Sequence, residues 1–399
     1  MAIKKSKKTS NKTSTKTSRR YGLSTLAIHA GQSPDPSTGA IVTPIFQTST
    51  YAQEAVGKNK GYEYTRSGNP TRRALEDNIA ALEGGHGGVG FASGMAAIST
   101  LISSFDTGAH FVCTANVYGG TFRLFERVHR RQGYDFSWVD TRDLKAVERA
   151  IKKNTKMIFL ETPTNPLMQV CDISGIAKLA RAKGVKVCVD NTFLTPYWQR
   201  PLELGCDFVV HSATKYLGGH SDVLGGLLVT TNEADTTNLR FVAKCIGGVL
   251  APFDAWLILR GIKTLALRME AAEHNATAVA MYLEGHKRVS KVFYPGLESH
   301  EGYELNRKQS GGAGGLLSFE LAKGGDVNKF LKAMKICQLA ESLGAVETLV
   351  CVPAKMTHAS VPPEERKKLG VTDTLLRIAV GVEDIDDLIA DLDHALSRA

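Results

Sequence analysis

From residue 85 to residue 231, short and nearly uninterrupted apolar runs alternate with longer stretches whose apolar residues recur every three or four positions. The first pattern reads as buried strand and the second as amphipathic helix. Strands are predicted at Val89–Ser93, His110–Ala115, Phe136–Asp140, Met157–Glu161, Val185–Asp190, Phe208–His211 and Leu227–Thr230. Helices are predicted near 94–104, 120–131, 143–152 and 173–183. Ahead of them, Leu75, Ile79 and Leu82 keep helical spacing until Gly84 and Gly85 stop it. Continuous apolar strands joined by helical crossovers predict a mostly parallel sheet covered on both faces.

The pattern then changes. One long helical stretch over 254–283 leads into strands at Val289–Tyr294, Leu316–Leu321 and Leu375–Val380, with helices at 326–335 and 384–398. This is an α+β arrangement, so a domain boundary is expected near 250–285. Residues 21–70 are rich in Thr, Ser, Gly and Pro and read as an irregular arm.

Composition adds little to this picture except at one end. The 399 residues are 43% hydrophobic and 22% charged, which is the balance of an ordinary enzyme. Aromatic residues are only 7%, so the cores must rest on Ala, Val, Leu and Ile. Eight of the nine formal positive charges come from Lys4, Lys5, Lys7, Lys8, Lys12, Lys16, Arg19 and Arg20, with no acid among them. Residues 21–399 therefore carry +1. A Lys/Ser/Thr segment without apolar periodicity is expected to be a disordered basic tail. It reads as a solubilising leader rather than as a specific nucleic-acid binder, a membrane-surface anchor or a transit segment. No apolar core follows the basic residues, which argues against a secretory signal, and no run approaches a membrane span. The seven cysteines are scattered without a C-x-x-C pair, as expected of reduced thiols in a cytoplasmic protein with no zinc site.

Gly85–Gly90 formally matches the dinucleotide fingerprint, but it follows a helix and precedes a strand, the reverse of the required order. His211 and His220, nine residues apart, lack nearby ligand partners and read as core or surface histidines.

Three strand ends carry more chemistry. Ser93-Gly94-Met95 turns a strand into a helix start, where backbone N–H groups can receive an anion. Asp190 ends an apolar strand, a costly place for an acid without a cationic partner. Lys215, 25 residues on, follows another apolar strand between hydroxyls, and a partly desolvated lysine is a competent nucleophile. An anion site, an acid and an amine together fit pyridoxal 5′-phosphate (PLP).

Longer motifs make the match specific. Tyr62–Thr71 (YEYTRSGNPT), Val117–Thr121 (VYGGT), Glu161–Pro166 (ETPTNP), Ser212–Asp222 (SATKYLGGHSD) and Met356–Ser360 (MTHAS) resemble the Cys/Met-metabolism family of PLP enzymes, the trans-sulfuration enzymes. The resemblance runs from about residue 21 to the C-terminus. It implies a fold type I, aspartate-aminotransferase-like architecture with a basic tail (1–20), an arm that serves a neighbouring subunit (21–70), a large PLP-binding domain (71–265) and a C-terminal α+β domain (266–399).

The resemblance also implies roles. Lys215 would be the Schiff-base lysine and move protons, Asp190 would pair with the pyridine nitrogen, and Tyr118 would stack on the ring. Gly94, Met95, Ser212 and Thr214 would hold the phosphate from one chain, with Tyr64 and Arg66 supplied by its neighbour. Asn165, Ser342 and Arg377 would bind the substrate carboxylate. Glu63 and Glu341 would receive the distal ammonium of cystathionine, which leans toward a γ-acting enzyme. Gly120 stands where methionine γ-lyases carry cysteine. The implied reaction is γ-elimination of L-cystathionine to cysteine, 2-oxobutanoate and ammonia. γ-Replacement on an activated homoserine (the γ-synthase reaction) ranks second and β-elimination third. Shared sites imply a homo-oligomer, a tetramer built from dimers.

Overall fold

The structure is a computed structural model that describes residues 21–357, 359, 364, 366 and 369–399. The basic tail and two residues of the 356–360 motif, His358 and Ser360, lie outside them.

The seven apolar runs form one sheet: β1 (Gly87–Phe91), β2 (His110–Thr114), β3 (Asp135–Val139), β4 (Thr155–Glu161), β5 (Lys186–Asp190), β6 (Phe208–Ser212) and β7 (Gly226–Thr230), in the order β1-β7-β6-β5-β4-β2-β3. All neighbours are parallel except β7, which runs against both β1 and β6. The apolar runs are continuous because both faces are covered. Phe111 and Cys113 enter one core while Val112, between them, enters the core on the opposite face.

Two helix starts show how local sequence shapes this layer. Helix α2 (Pro70–Glu83, with α1 at Leu23–His29 before it) begins with the Asn69 side chain accepting from the Thr71 and Arg72 N–H groups. It ends at Gly84, whose φ of 70° is the left-handed cap glycine tolerates. Helix α3 (Gly94–Ser103) starts with Ser93 Oγ accepting from the Ala96 N–H at 3.1 Å.

Other predicted helices differ in extent. The helix expected over 120–131 is α4 (Gly119–Leu124), followed by a π-helical turn at Phe125–His129 and a 3₁₀ turn at Arg130–Gln132. Helices α5 (Leu144–Ala150) and α6 (Ile173–Ala182) fall where expected, and a short α7 (Thr195–Trp198) was not anticipated. Helix α8 (Glu233–Ile246) was also missed. The single helix predicted over 254–283 is two, α9 (Pro252–Ile262) and α10 (Leu265–Glu284). The break falls at Thr264, whose hydroxyl donates to the Gly261 carbonyl at 3.2 Å and so competes with the helical ladder.

A second sheet follows: β8 (Val289–Phe293), β9 (Leu316–Leu321), β10 (Gln338–Leu339), β11 (Leu349–Cys351) and β12 (Leu375–Ala379), ordered β10-β11-β12-β9-β8. It is antiparallel apart from the β10–β11 pair. Helices α10, α12 (Val327–Ala333) and the closing α13 (Ile385–Arg398) share its core; α11 (Tyr303–Gln309) lies in the β8–β9 connection. The arm of residues 21–70 is irregular after α1 and exposes Ile41, Val42 and Val56. Among the described residues no helix is long and apolar enough to cross a membrane.

Candidate active site

The carboxyl ends of β4, β5 and β6, the start of α3 and the central strand of the second sheet at Arg377 enclose a cavity of about 330 Å³. Gly94, Met95, Tyr118, Asn165, Asp190, Ser212, Thr214, Lys215, Glu341, Ser342 and Arg377 all line it. Residues predicted as far apart as 94 and 377 thus meet in one place. Glu63, Tyr64 and Arg66 do not reach it within the chain. Glu63 accepts from Asn59 Nδ2 at 2.8 Å, and Arg66 donates to the Lys244 carbonyl at 2.7 Å with its guanidinium over the Tyr64 ring.

Lys215 follows β6, and its Nζ donates to Ser342 Oγ at 2.8 Å. Burial, followed by the nearby Arg377 guanidinium, pushes the amine down to about 8, against a smaller upward pull from Glu341. Asp190 ends β5, where its Oδ1 accepts from the Thr192 hydroxyl at 2.5 Å and the Thr192 N–H at 3.1 Å. Burial raises its carboxyl above the usual range in spite of those bonds.

Arg377 sits on β12, almost fully buried. Its Nη1 donates to Asn165 Oδ1 at 3.1 Å and its Nη2 to the Ser342 carbonyl at 2.8 Å, while Nε is buried with no partner among the described residues. Ser342 holds a φ of 114°, a left-handed conformation costly for a residue with a side chain, of order 1–3 kcal/mol. That conformation accompanies a carbonyl bound to Arg377 and a hydroxyl bound to Lys215.

The start of α3 supplies an anion cradle. The Gly94 and Met95 N–H groups precede the first helical hydrogen bonds and have no acceptor in the helix. A Cβ on Gly94 would lie 3.0 Å from Ser212 Cβ and 3.1 Å from its Cα, so glycine lets these two segments approach without displacing Ser212. Tyr118 precedes α4 with its ring partly exposed to the cavity, and a Cβ on Gly120 would overlap that ring. An amine, a carboxylate, a glycine-built helix start and flanking hydroxyls form a donor set that fits PLP.

Among the lining residues without a predicted role is one further acid. Glu161 ends β4 directly beside Asp190 on β5. Its Oε2 accepts from the Tyr118 N–H at 2.8 Å and its Oε1 from the Asn165 N–H at 3.0 Å. Burial, then repulsion from Asp190, raises it to about 8. The signal that singled out Asp190, an acid closing an apolar strand, applies equally to Glu161. Of the two histidines set aside, His211 is fully buried with Nε2 2.7 Å from Glu83 Oε1, and His220 lies 2.8 Å from the Gly218 carbonyl. The reversed glycine fingerprint leads from α2 into β1. Among the described residues no cluster of His, Cys, Asp or Glu could hold a metal.

Comparison with known sequences decides the family: the profile of the Cys/Met metabolism PLP-dependent enzymes matches residues 24–397. The chain belongs to this family. It is therefore a PLP-dependent enzyme that acts on an amino-acid substrate at a carbon–sulfur bond. It is 52% identical over 374 residues to a cystathionine γ-lyase of Bacillus subtilis, covering 94% of this chain and 99% of that one. It is 51% identical over 376 residues to a cystathionine β-lyase of Lactococcus lactis, again covering 94% and 99%. A solved cystathionine γ-lyase of Lactobacillus plantarum, complexed with L-serine, superposes with a TM-score of 0.93 at 48% identity, covering 95% and 99%. A cystathionine γ-synthase of Xanthomonas oryzae superposes at 0.92 with 39% identity, covering 95% and 98%.

Proposed function

We propose that the enzyme is a cystathionine γ-lyase, converting L-cystathionine and water to L-cysteine, 2-oxobutanoate and ammonia. The observation that carries the reading is the charge arrangement of the cavity. Arg377 offers a guanidinium for one end of the substrate, and Glu341, beside Ser342, offers a carboxylate for the distal ammonium. A substrate with an amino-acid group at each end of a thioether meets both.

PLP would be held by Lys215 at its aldehyde, Asp190 at its ring nitrogen, Tyr118 on its ring face, and Gly94, Met95, Ser212 and Thr214 at its phosphate. When bound it supplies an electron sink for charge developing at the substrate α-carbon. The chain does the rest. Arg377, oriented by Asn165 and the Ser342 carbonyl, grips the α-carboxylate with a planar fork. Lys215, held near 8, is available as a neutral amine to take the Cα proton at Nζ and, only after giving that proton up, a Cβ proton. Ser342 Oγ fixes the direction from which that amine approaches.

Glu63, Tyr64 and Arg66 lie on an arm that exposes apolar side chains, which supports a homo-oligomer in which they complete a neighbour's site. A tetramer of two such dimers is the assembly proposed. Seven free cysteines, all but Cys245 buried, support a cytoplasmic location.

β-Elimination is the second reading, favoured by the β-lyase names among relatives near 50% identity. Product analysis from L-cystathionine separates the two. 2-Oxobutanoate with cysteine supports γ-elimination, and pyruvate with homocysteine replaces it by β-elimination. Condensation of an activated homoserine with cysteine, without cleavage, makes the enzyme a synthase.

A further inference from the structure

We propose that Glu161 is a positioning residue whose single carboxylate locks the tyrosine on the ring side of the cavity to the arginine on the carboxylate side. The inference rests on the roles given above to Tyr118 and Arg377, and it deepens them.

The contacts form one chain across three elements. Arg377 on β12 donates to Asn165 Oδ1; the Asn165 N–H donates to Glu161 Oε1; and Glu161 Oε2 accepts the N–H of Tyr118 at the start of α4. Glu161 is itself anchored at the end of β4, its own N–H donating to Thr114 Oγ1 at 3.3 Å. Neither Tyr118 nor Asn165 lies within a strand or helix; the Tyr118 carbonyl accepts from the Thr121 and Phe122 N–H groups of α4, but the N–H of each residue bonds Glu161 rather than a backbone carbonyl. The carboxylate thus sets the direction of both.

The alternative is that Glu161 simply fills space. Burial argues against it, because a buried acid facing a second acid, Asp190, is a costly filler. Glutamine or leucine would fill the same volume without that repulsion. What glutamine lacks is the second acceptor. Its amide NH₂ would oppose one of the two backbone N–H groups, and turning the amide only transfers the loss to the other.

Glu161→Gln in the PLP-loaded enzyme is therefore the test. Visible circular dichroism of the resting holoenzyme reads the asymmetry around the cofactor and needs no substrate. Steady-state kinetics reads the carboxylate side. The expected result is a changed visible dichroism together with a roughly tenfold rise in KM that exceeds any fall in kcat, for whichever thioether amino acid the enzyme cleaves. A folded Glu161→Gln holoenzyme with unchanged dichroism and KM overturns the proposal. A change in only one of them overturns the claim that a single carboxylate serves both. If that variant does not fold, Glu161→Asp keeps the carboxyl group but is one methylene too short to bridge both N–H groups. It is expected to alter both measurements, and parental values in both would overturn the idea. Product identity is read separately, so a β-eliminating enzyme corrects the proposed reaction without touching this result.

Discussion

Replacing Arg377 with lysine retains the positive charge and removes the planar fork. In the chain the guanidinium holds two acceptors at once, Asn165 Oδ1 at 3.1 Å and the Ser342 carbonyl at 2.8 Å, and among the described residues its Nε has no partner. A lysine ammonium on a thinner stem cannot serve both and still meet a carboxylate in two-point fashion. The substrate therefore loses about one hydrogen bond between charged groups, ~1.5–3 kcal/mol, which is about a ten- to hundredfold rise in KM. Stability falls too, since one buried carbonyl or amide oxygen is left without a donor, at ~1–3 kcal/mol. The assay is the initial rate of 2-oxobutanoate release across a range of L-cystathionine concentrations, with a thermal melt as companion. kcat is expected to change less than KM. A KM within threefold of the parent, in a variant of lowered melting temperature, would falsify the placement of the substrate carboxylate at Arg377 and leave it a purely structural residue.

Four further outcomes follow from the same site. Lys215 must shed a proton to act as base, so kcat should rise with pH through about 8. Glu341→Gln removes an anion that holds the amine up, so the rising limb should move to lower pH; a limb that stays or climbs contradicts the electrostatics. Gly94→Ala sets a methyl 3.0 Å from Ser212 Cβ and 3.1 Å from its backbone Cα. PLP titration should show its dissociation constant raised at least tenfold, of order 1.4 kcal/mol, and parental affinity would remove the cradle from the account. Finally, Arg66→Ala and Lys215→Ala chains, each impaired alone, should regain turnover when unfolded together and reassembled, because one mixed site receives both intact residues. No recovery from a properly assembled mixture argues against a site shared between chains.

The large sheet was legible because its strands are buried on both faces and so run apolar without interruption, as in Phe159-Leu160 or Val187-Cys188-Val189. Strands β10 and β11 were not, being two and three residues long. Helix α8 was hidden because its buried face is only Thr236, Leu239 and Ala243, too sparse a stripe among polar residues. The break between α9 and α10 depends on a Thr264 hydroxyl bond that spacing does not reveal. Within the site, Lys215 and Asp190 announce themselves as polar residues closing apolar strands. Arg377 does not: its neighbours on β12 are apolar, and its partners Asn165 and Ser342 are brought in by tertiary contact from 212 and 35 residues away. Glu161 carried the same signal as Asp190, but its partners are backbone N–H groups, which leave no trace in side-chain composition.

The central claim is that the amine of Lys215 and the carboxylate of Asp190 bracket the PLP ring in the cavity between the two sheets. Borohydride reduction of the purified holoenzyme, followed by proteolysis and mass spectrometry, tests it most directly. The account predicts a single pyridoxyl-phosphate adduct, on the peptide that contains Lys215. An adduct on a different lysine in fully active enzyme would contradict it.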